Sequence, residues 1–388
     1  MRDLNQLTDQ FTESVIRNMT RVCLEAGGIN LSQGFPDWDT PPEIIEAAVR
    51  ALRSGVNQYA ITWGQPELRR AIAERVAAYN GFTCDPETQI TVCCGATEGM
   101  IATLKAIINP GDEVIIFEPF YENYGPDTLL SGAIPRYVTL NAPEWDFDPD
   151  QLAAAFNNRT KAIIINTPNN PTGKVFVREE LQFVADLCQK WGCYLVTDEI
   201  YEYILYDGAE HVSPASLAGM AEHAITINSL SKTYSATGWR VGWIIAPPKA
   251  TAAIRKVHDF LTVGAPAPLQ AAGVTALTMP ESYYAGLSGR YRQARRFLHG
   301  VLQELDMRPT LPRGAYYIIT ENPALMAAHG CDDDFAWALK LVELTGVASV
   351  PGSSFYADPA KGRHQVRWCF CKKMETLEAA AQGLRRLA

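Results

Sequence analysis

Between residues 89 and 246, short apolar runs alternate with segments of helical period, and this alternation restricts the fold more than any other feature. Residues 89–93, 113–117, 134–140, 161–166, 194–197, 224–229 and 241–246 read as strands. Residues 97–108, 121–131, 149–156 and 179–191 read as the helices between them. Strands apolar on both faces, separated by helices, belong to an α/β fold with a mostly parallel central sheet covered by helices. Upstream, Phe11, Val15, Met19 and Val22 have helical spacing. Pro41-Pro42-Glu43 and Pro66-Glu67-Leu68 open two further helices, to about 54 and 79, because proline is preorganised for a first helical turn. Downstream, 249–257, 268–279 and 283–305 read as helices. The pattern then changes to strands at 316–319 and 366–370 and helices at 335–345 and 374–387. A second, smaller α+β domain is expected there.

The net charge of -9 disfavours nucleic-acid binding, which rests on cationic contacts to phosphate. The first twenty residues are polar and of mixed charge, so a cleaved export signal is not expected. No apolar run is long enough to cross a bilayer, and a cytoplasmic protein with no membrane partner is the expectation. The nine cysteines include no CxxC pair and no Cys/His grouping with zinc spacing. They read as reduced, mostly buried thiols, and no metal site is expected.

The strongest chemical signal is Ser229-Leu230-Ser231-Lys232-Thr233-Tyr234-Ser235-Ala236-Thr237-Gly238-Trp239-Arg240-Val241-Gly242. A lysine sits between two apolar strands among hydroxyls, and an arginine follows in a Gly-x-Arg-x-Gly frame. Hydroxyls and a guanidinium suit a phosphate. A lysine of lowered pKa suits attack on a carbonyl. Ser-Lys alone is common, but the whole string is far more specific. Thr197-Asp198-Glu199-Ile200-Tyr201 ends a strand, where an acid faces the ligand crevice of an α/β sheet. Asp198 there suits a protonated pyridine nitrogen, although a plain backbone cap uses the same residue. Asn169-Asn170-Pro171-Thr172-Gly173 follows another strand and is also an ordinary turn sequence. Gly95-Ala96-Thr97-Glu98 lies at a strand-to-helix junction, where backbone amides can bind phosphate.

Together these motifs resemble the class I/II aminotransferases of pyridoxal 5'-phosphate (PLP) fold type I, from Asn30 to Lys372. Asn30-Leu31-Ser32-Gln33-Gly34-Phe35-Pro36-Asp37 is similar to the kynurenine, glutamine and methionine aminotransferase group. The resemblance implies a large PLP-binding domain over 36–283 and a small domain from 1–35 with 284–388. It implies that Lys232 is the Schiff-base lysine and then the proton shuttle. Asp198 pairs with the ring nitrogen, and Asn170 and Tyr201 bind the ring oxygen. Ala96, Thr97, Ser229, Ser231 and Arg240 hold the phosphate, and Tyr121 stacks on the ring. Arg367, aided by the backbone of Gly34, clamps the substrate carboxylate. Tyr59 reaches the phosphate of a partner subunit, which implies a homodimer. The partners implied are a small amino acid and a 2-oxo acid.

Two departures bear on the substrate. Thr97 and Val263-Gly264 stand where kynurenine enzymes tend to carry aromatic residues or Phe-His. The aromatic cage is reduced, which favours neutral donors of small to medium size over kynurenine. No second arginine for a distal carboxylate is evident, and Arg21, Arg136 and Arg313 are the candidates. The competing readings are a PLP-dependent cysteine-conjugate β-lyase, an aspartate-type or diaminopimelate-type aminotransferase, a PLP-binding sensor domain and a catalytically dead paralogue. The full set of catalytic residues disfavours the last.

Overall fold

A computed structural model describes residues 4–387. The first strand, β1, is short (Ile29–Asn30). The next seven are β2 (Ile90–Cys93), β3 (Glu113–Glu118), β4 (Ile134–Thr139), β5 (Thr160–Asn166), β6 (Tyr194–Asp198), β7 (Ala224–Ser229) and β8 (Gly242–Ile245). They form one sheet in the order β2-β8-β7-β6-β5-β3-β4. Only β8 runs against its neighbours, pairing antiparallel with both β2 and β7. The sheet is therefore mostly parallel, as the alternation predicts. β2, β3, β7 and β8 are buried along their whole length, which explains why they read as continuous apolar runs.

The helices covering this sheet follow their apolar faces. Pro42–Arg53 and Pro66–Tyr79 both carry proline in the first turn, and they bury Ile44, Ala47, Ala48 and Ala51, and Leu68, Ala71, Ile72 and Val76. The 24-residue helix Glu281–Glu304 buries Tyr284, Leu287, Tyr291, Ala294, Leu298, Val301 and Leu302 at spacings of three, four and one. Each fully buried leucine or valine in such a stripe stabilises the fold by roughly 1.5–3 kcal/mol.

Beyond that helix lie β9 (Tyr317–Glu321), β10 (Val347–Ala348), β11 (Val350–Pro351) and β12 (Gln365–Cys369). β11, β12 and β9 form an antiparallel sheet, while β1 pairs parallel with β10. Leu31 N donates to Ala348 O, and Cys369 N donates to Leu31 O. These bonds stitch the start of the chain to its end and bring the loop after β1 over the carboxyl edge of the large sheet.

Some expected elements shift for local reasons. The helix expected over 121–131 is Tyr124–Leu130, and a turn closed by Tyr124 N to Tyr121 O precedes it. Tyr121, Glu122 and Asn123 are thereby left in a turn that faces the site. The strand expected from 241 begins at Gly242 because Arg240 takes a left-handed backbone, with φ 55°. All nine cysteines are free, seven of them buried. Among the described residues, no helix is long and apolar enough to cross a membrane.

Candidate active site

The carboxyl ends of β2, β3, β5, β6 and β7 open into one cavity of about 460 Å³. Ligand crevices of open α/β sheets lie on this edge. Its walls carry Gly34, Ala96, Thr97, Tyr121, Asn170, Asp198, Tyr201, Ser229, Ser231, Lys232, Arg240 and Arg367. Every expected site residue but one is therefore brought together. The exception is Tyr59, which is 88% exposed and does not line this cavity.

At one end of the cavity lies an anion cradle. Ala96 and Thr97 sit in the first turn of the Gly95–Ile107 helix, where amides lack partners within the helix. Ser231 N donates to Ser229 Oγ at 3.3 Å, which leaves the Ser229 hydroxyl proton free for a ligand. Arg240 donates to the carbonyls of Thr237 at 2.8 Å and Cys94 at 3.4 Å. Among the described residues it has no carboxylate partner. Gly95 has φ +82°, and a Cβ there would collide with the Arg240 guanidinium. The backbone is bare where the cation must sit. Amides, hydroxyls and an uncompensated guanidinium are the donor set that fits a phosphate-bearing group.

In the middle stand an acid and an amine. Asp198 ends β6 and is buried; burial pushes its carboxyl up to about 6. Tyr124 Oη donates to its Oδ2 at 2.8 Å, and Ile200 N donates weakly to Oδ1 at 3.4 Å. The capping contact is thus present, but as the weaker of the two. Asn166, at the end of β5, donates from Nδ2 to Asp198 O at 2.9 Å and accepts from Asn170 N at 2.6 Å. This bond fixes the Asn170 turn to the acid. Lys232 Nζ donates to Gly34 O at 2.9 Å. Its burial lowers the amine to about 8, which raises the fraction of the nucleophilic neutral form near neutrality.

At the other end, Arg367 projects from β12. Its Nη1 donates to Asn170 Oδ1 at 2.7 Å and its Nη2 to Ser32 O at 2.6 Å, and its carbon lies 4.3 Å from the centre of the Tyr317 ring. All its bonded acceptors are neutral, and Nε has no partner although it is buried. A buried guanidinium without a counter-charge is costly, and this one is left able to accept a carboxylate. Tyr201 and Tyr317 share a hydroxyl bond of 2.9 Å. Burial holds the Tyr201 phenol well above its ordinary pKa, so it remains a proton donor.

The sequence reading missed Tyr124, Asn166, Tyr317 and Arg17, all of which line the cavity. Asn166 was discoverable as the polar end of an apolar strand. Tyr317 and Arg17 come from elements distant in sequence and carry no local signal. The arginines considered for a second carboxylate are spent or misplaced: Arg21 pairs with Glu13 at 2.8 Å and Arg136 with Glu113 at 2.8 Å. Arg313 does not line the cavity.

Comparison with known proteins adds the chemistry. Residues 26–384 match the family model described as aminotransferase class I and II. Human kynurenine–oxoglutarate transaminase 1 is 36% identical, with 92% of each chain covered. The methionine aminotransferase of Escherichia coli is 35% identical, with 97% of each chain covered. The structure of N-succinyldiaminopimelate aminotransferase from Mycobacterium tuberculosis superposes with a TM-score of 0.94 at 36% identity, covering 100% of both chains. Since the family model spans nearly the whole chain and these relatives are more than 30% identical over more than nine-tenths of it, the chain is a transaminase of the class I and II aminotransferase family.

Proposed function

We propose that the chain is a PLP-dependent aminotransferase that moves an amino group between an L-amino acid and a 2-oxo acid by a ping-pong route. One observation carries this reading: a phosphate-type donor set, Asp198, Lys232 and Arg367 follow one another along a single cavity.

Ser229, Ser231, Arg240 and the amides of Ala96 and Thr97 would hold the phosphate. Asp198 would face the ring nitrogen, Asn170 and Tyr201 the ring oxygen, and Tyr121 a ring face. When bound, the cofactor supplies an electron sink for the charge left at the substrate Cα. Lys232 would hold the cofactor covalently, and its amine would take the proton from the substrate Cα. Asp198, ionised, would favour a positive charge on the ring nitrogen. At an effective dielectric near 20, such a pair attracts by roughly 4 kcal/mol at 4 Å. Arg367 orients the substrate by its α-carboxylate with a planar fork that a lysine would not reproduce.

A homodimer with shared sites fits the surroundings of Tyr59. Tyr59 and Phe260 are 88% and 92% exposed. His258 Nε2 bonds Thr62 O at 2.8 Å, which brings the two segments together. Two large aromatic side chains left this exposed suit burial against a second copy. The partition into 36–283 and 1–35 with 284–388 is supported by the separate small sheets, and a cytoplasmic location by the free cysteines. Neutral, sulfur-containing, aromatic or glutamine-like donors are the reading from the sequence, and relatives named for kynurenine, methionine and N-succinyldiaminopimelate support aromatic, sulfur-containing and diaminopimelate-type donors.

The test is a half-reaction screen. Enzyme loaded with PLP meets each amino acid singly while the lysine-bound absorbance is followed. Conversion to the pyridoxamine form by some amino acids supports the reading. Release of pyruvate or ammonia without such conversion would move the enzyme to the β-lyases.

A further inference from the structure

The helix that supplies amides to the anion cradle, Gly95–Ile107, begins without a side-chain cap. A serine, threonine or aspartate before it would engage the amides of its first turn. Cys94 stands there instead, and those amides stay open to a ligand. The entry to the helix is braced from behind. Glu98 Oε2 accepts from Cys94 N at 3.0 Å, and the carbonyl of Cys94 accepts from Arg240 Nη2 at 3.4 Å. Cys94 is thus held by an acid on one side and by the cradle's own cation on the other. The brace has an electrostatic cost. Glu98 is buried, and its carboxylate stands in the turn that receives an anion, where two negative charges repel strongly at low dielectric.

His258, fully buried on the helix Pro248–Thr262, meets that acid. Its Nδ1 donates to Glu98 Oε1 at 3.0 Å and its Nε2 to Thr62 O at 2.8 Å. A carbonyl only accepts, so Nε2 carries a proton. The other oxygen of Glu98 already accepts from an amide, and a helix N-terminus favours the ionised acid, so the proton of the second bond lies on Nδ1. Burial alone would lower the pKa of the ring, but the bond to Glu98 and the charge of Glu98 outweigh burial and hold it above the ordinary value. Asp259, on the same helix, acts in the same direction. Thr262 Oγ1, 3.3 Å from Nδ1, is neutral. The Cys94 thiol donates to Gly264 O at 3.5 Å, and burial pushes it up, so it stays protonated. We propose that His258 is a positioning residue of the cofactor site: as an imidazolium it cancels the charge of Glu98, so that Glu98 braces the cradle without repelling the phosphate. This rests on the cofactor reading above and adds the pair that tunes its phosphate site.

The experiment measures sulfate binding to the full-length, cofactor-free chain by calorimetry at neutral and mildly alkaline pH. Wild type is compared with His258→Gln, Glu98→Gln and the double variant. Sulfate keeps one charge over this range, so only the protein titrates. His258→Gln should bind sulfate about tenfold more weakly than wild type. Removing the acid as well should restore affinity to within about threefold of wild type, since the amide of Glu98→Gln still accepts from Cys94 N. Release of PLP from the loaded enzyme should follow the same order and be fastest in His258→Gln. Nitrogen NMR of wild type at neutral pH should show both ring nitrogens of His258 protonated. Its signals are identified by their shift in Glu98→Gln, so the spectrum decides even where His258→Gln does not fold. A neutral ring in wild type overturns the proposal, and so does wild-type affinity in His258→Gln. A double variant as weak as His258→Gln also overturns it, because a ring needed only for packing gains nothing from loss of the acid. If the variants follow the expected order with sulfate but the chain takes up no PLP, the cofactor reading fails instead and the role of His258 in the cradle stands.

Discussion

Tyr124 Oη donates to Asp198 Oδ2 across 2.8 Å inside the protein, linking the turn after β3 to the end of β6. This bond is the main hydrogen-bonding support for a negative charge that burial otherwise opposes. Tyr124→Phe removes it and leaves the cavity's shape nearly intact. A hydrogen bond to a charged group contributes about 1.5–3 kcal/mol. The half-reaction rate of Tyr124→Phe should therefore drop by roughly tenfold or more, with cofactor still attached to Lys232. A wild-type rate would show that Asp198 does not need this donor.

The raised Asp198 pKa gives a stability prediction with opposite signs in two states. The folded value, about 6, lies above the ordinary carboxylate value. Ionised Asp198 therefore destabilises the cofactor-free fold. The penalty is absent below the ordinary value, grows as pH rises towards about 6, and is complete above it. Asp198→Asn should stabilise the cofactor-free protein at neutral pH, by up to about 3 kcal/mol, and give little at low pH. The same change should weaken cofactor binding, since the partner of the ring nitrogen is gone. Thermal unfolding of both forms at acid and neutral pH measures this, and a pH-independent difference would refute it.

Lys232 is expected to make the covalent attachment, so Lys232→Ala should bind cofactor without the absorbance of the lysine-linked form. In wild type, the neutral amine predominates above about 8. Attachment after mixing protein and cofactor should accelerate as pH rises through that value. Stopped-flow absorbance reads the rate, and a flat profile would contradict the assignment.

Arg367→Lys keeps the charge but loses the fork. It should raise the KM for any amino acid by about tenfold or more while the cofactor stays bound. Wild-type KM with cofactor lost would place Arg367 at the cofactor instead of the substrate.

The large sheet was legible because its strands are buried on both faces and punctuated by turns. Lys232, Asp198, Asn170 and Arg240 were legible because each sits at a strand end or beside a glycine, where local sequence constrains geometry. Arg367 rested on family resemblance, since nothing in Val366-Arg367-Trp368 says that the loop after β1 will lie against it. Tyr317 and Arg17 were invisible for the same reason: β9 and the Val15–Glu25 helix meet the cavity only through long-range packing. Tyr124 was hidden by a helix boundary, because expecting helix from 121 places it on a turn of its own instead of beside Asp198.

The acceptor that holds the Lys232 amine is a main-chain oxygen, that of Gly34, which also accepts from Tyr316 Oη at 2.8 Å. No exchange of side chain can delete a carbonyl. Yet a Cβ at position 34 would run into the Tyr317 hydroxyl, whose bond to Tyr201 spans 2.9 Å. In a saturation scan, position 34 should therefore tolerate as little as the lysine does, although the residue there offers no functional group of its own. A survey that ranks positions by the chemistry of their side chains would pass over it.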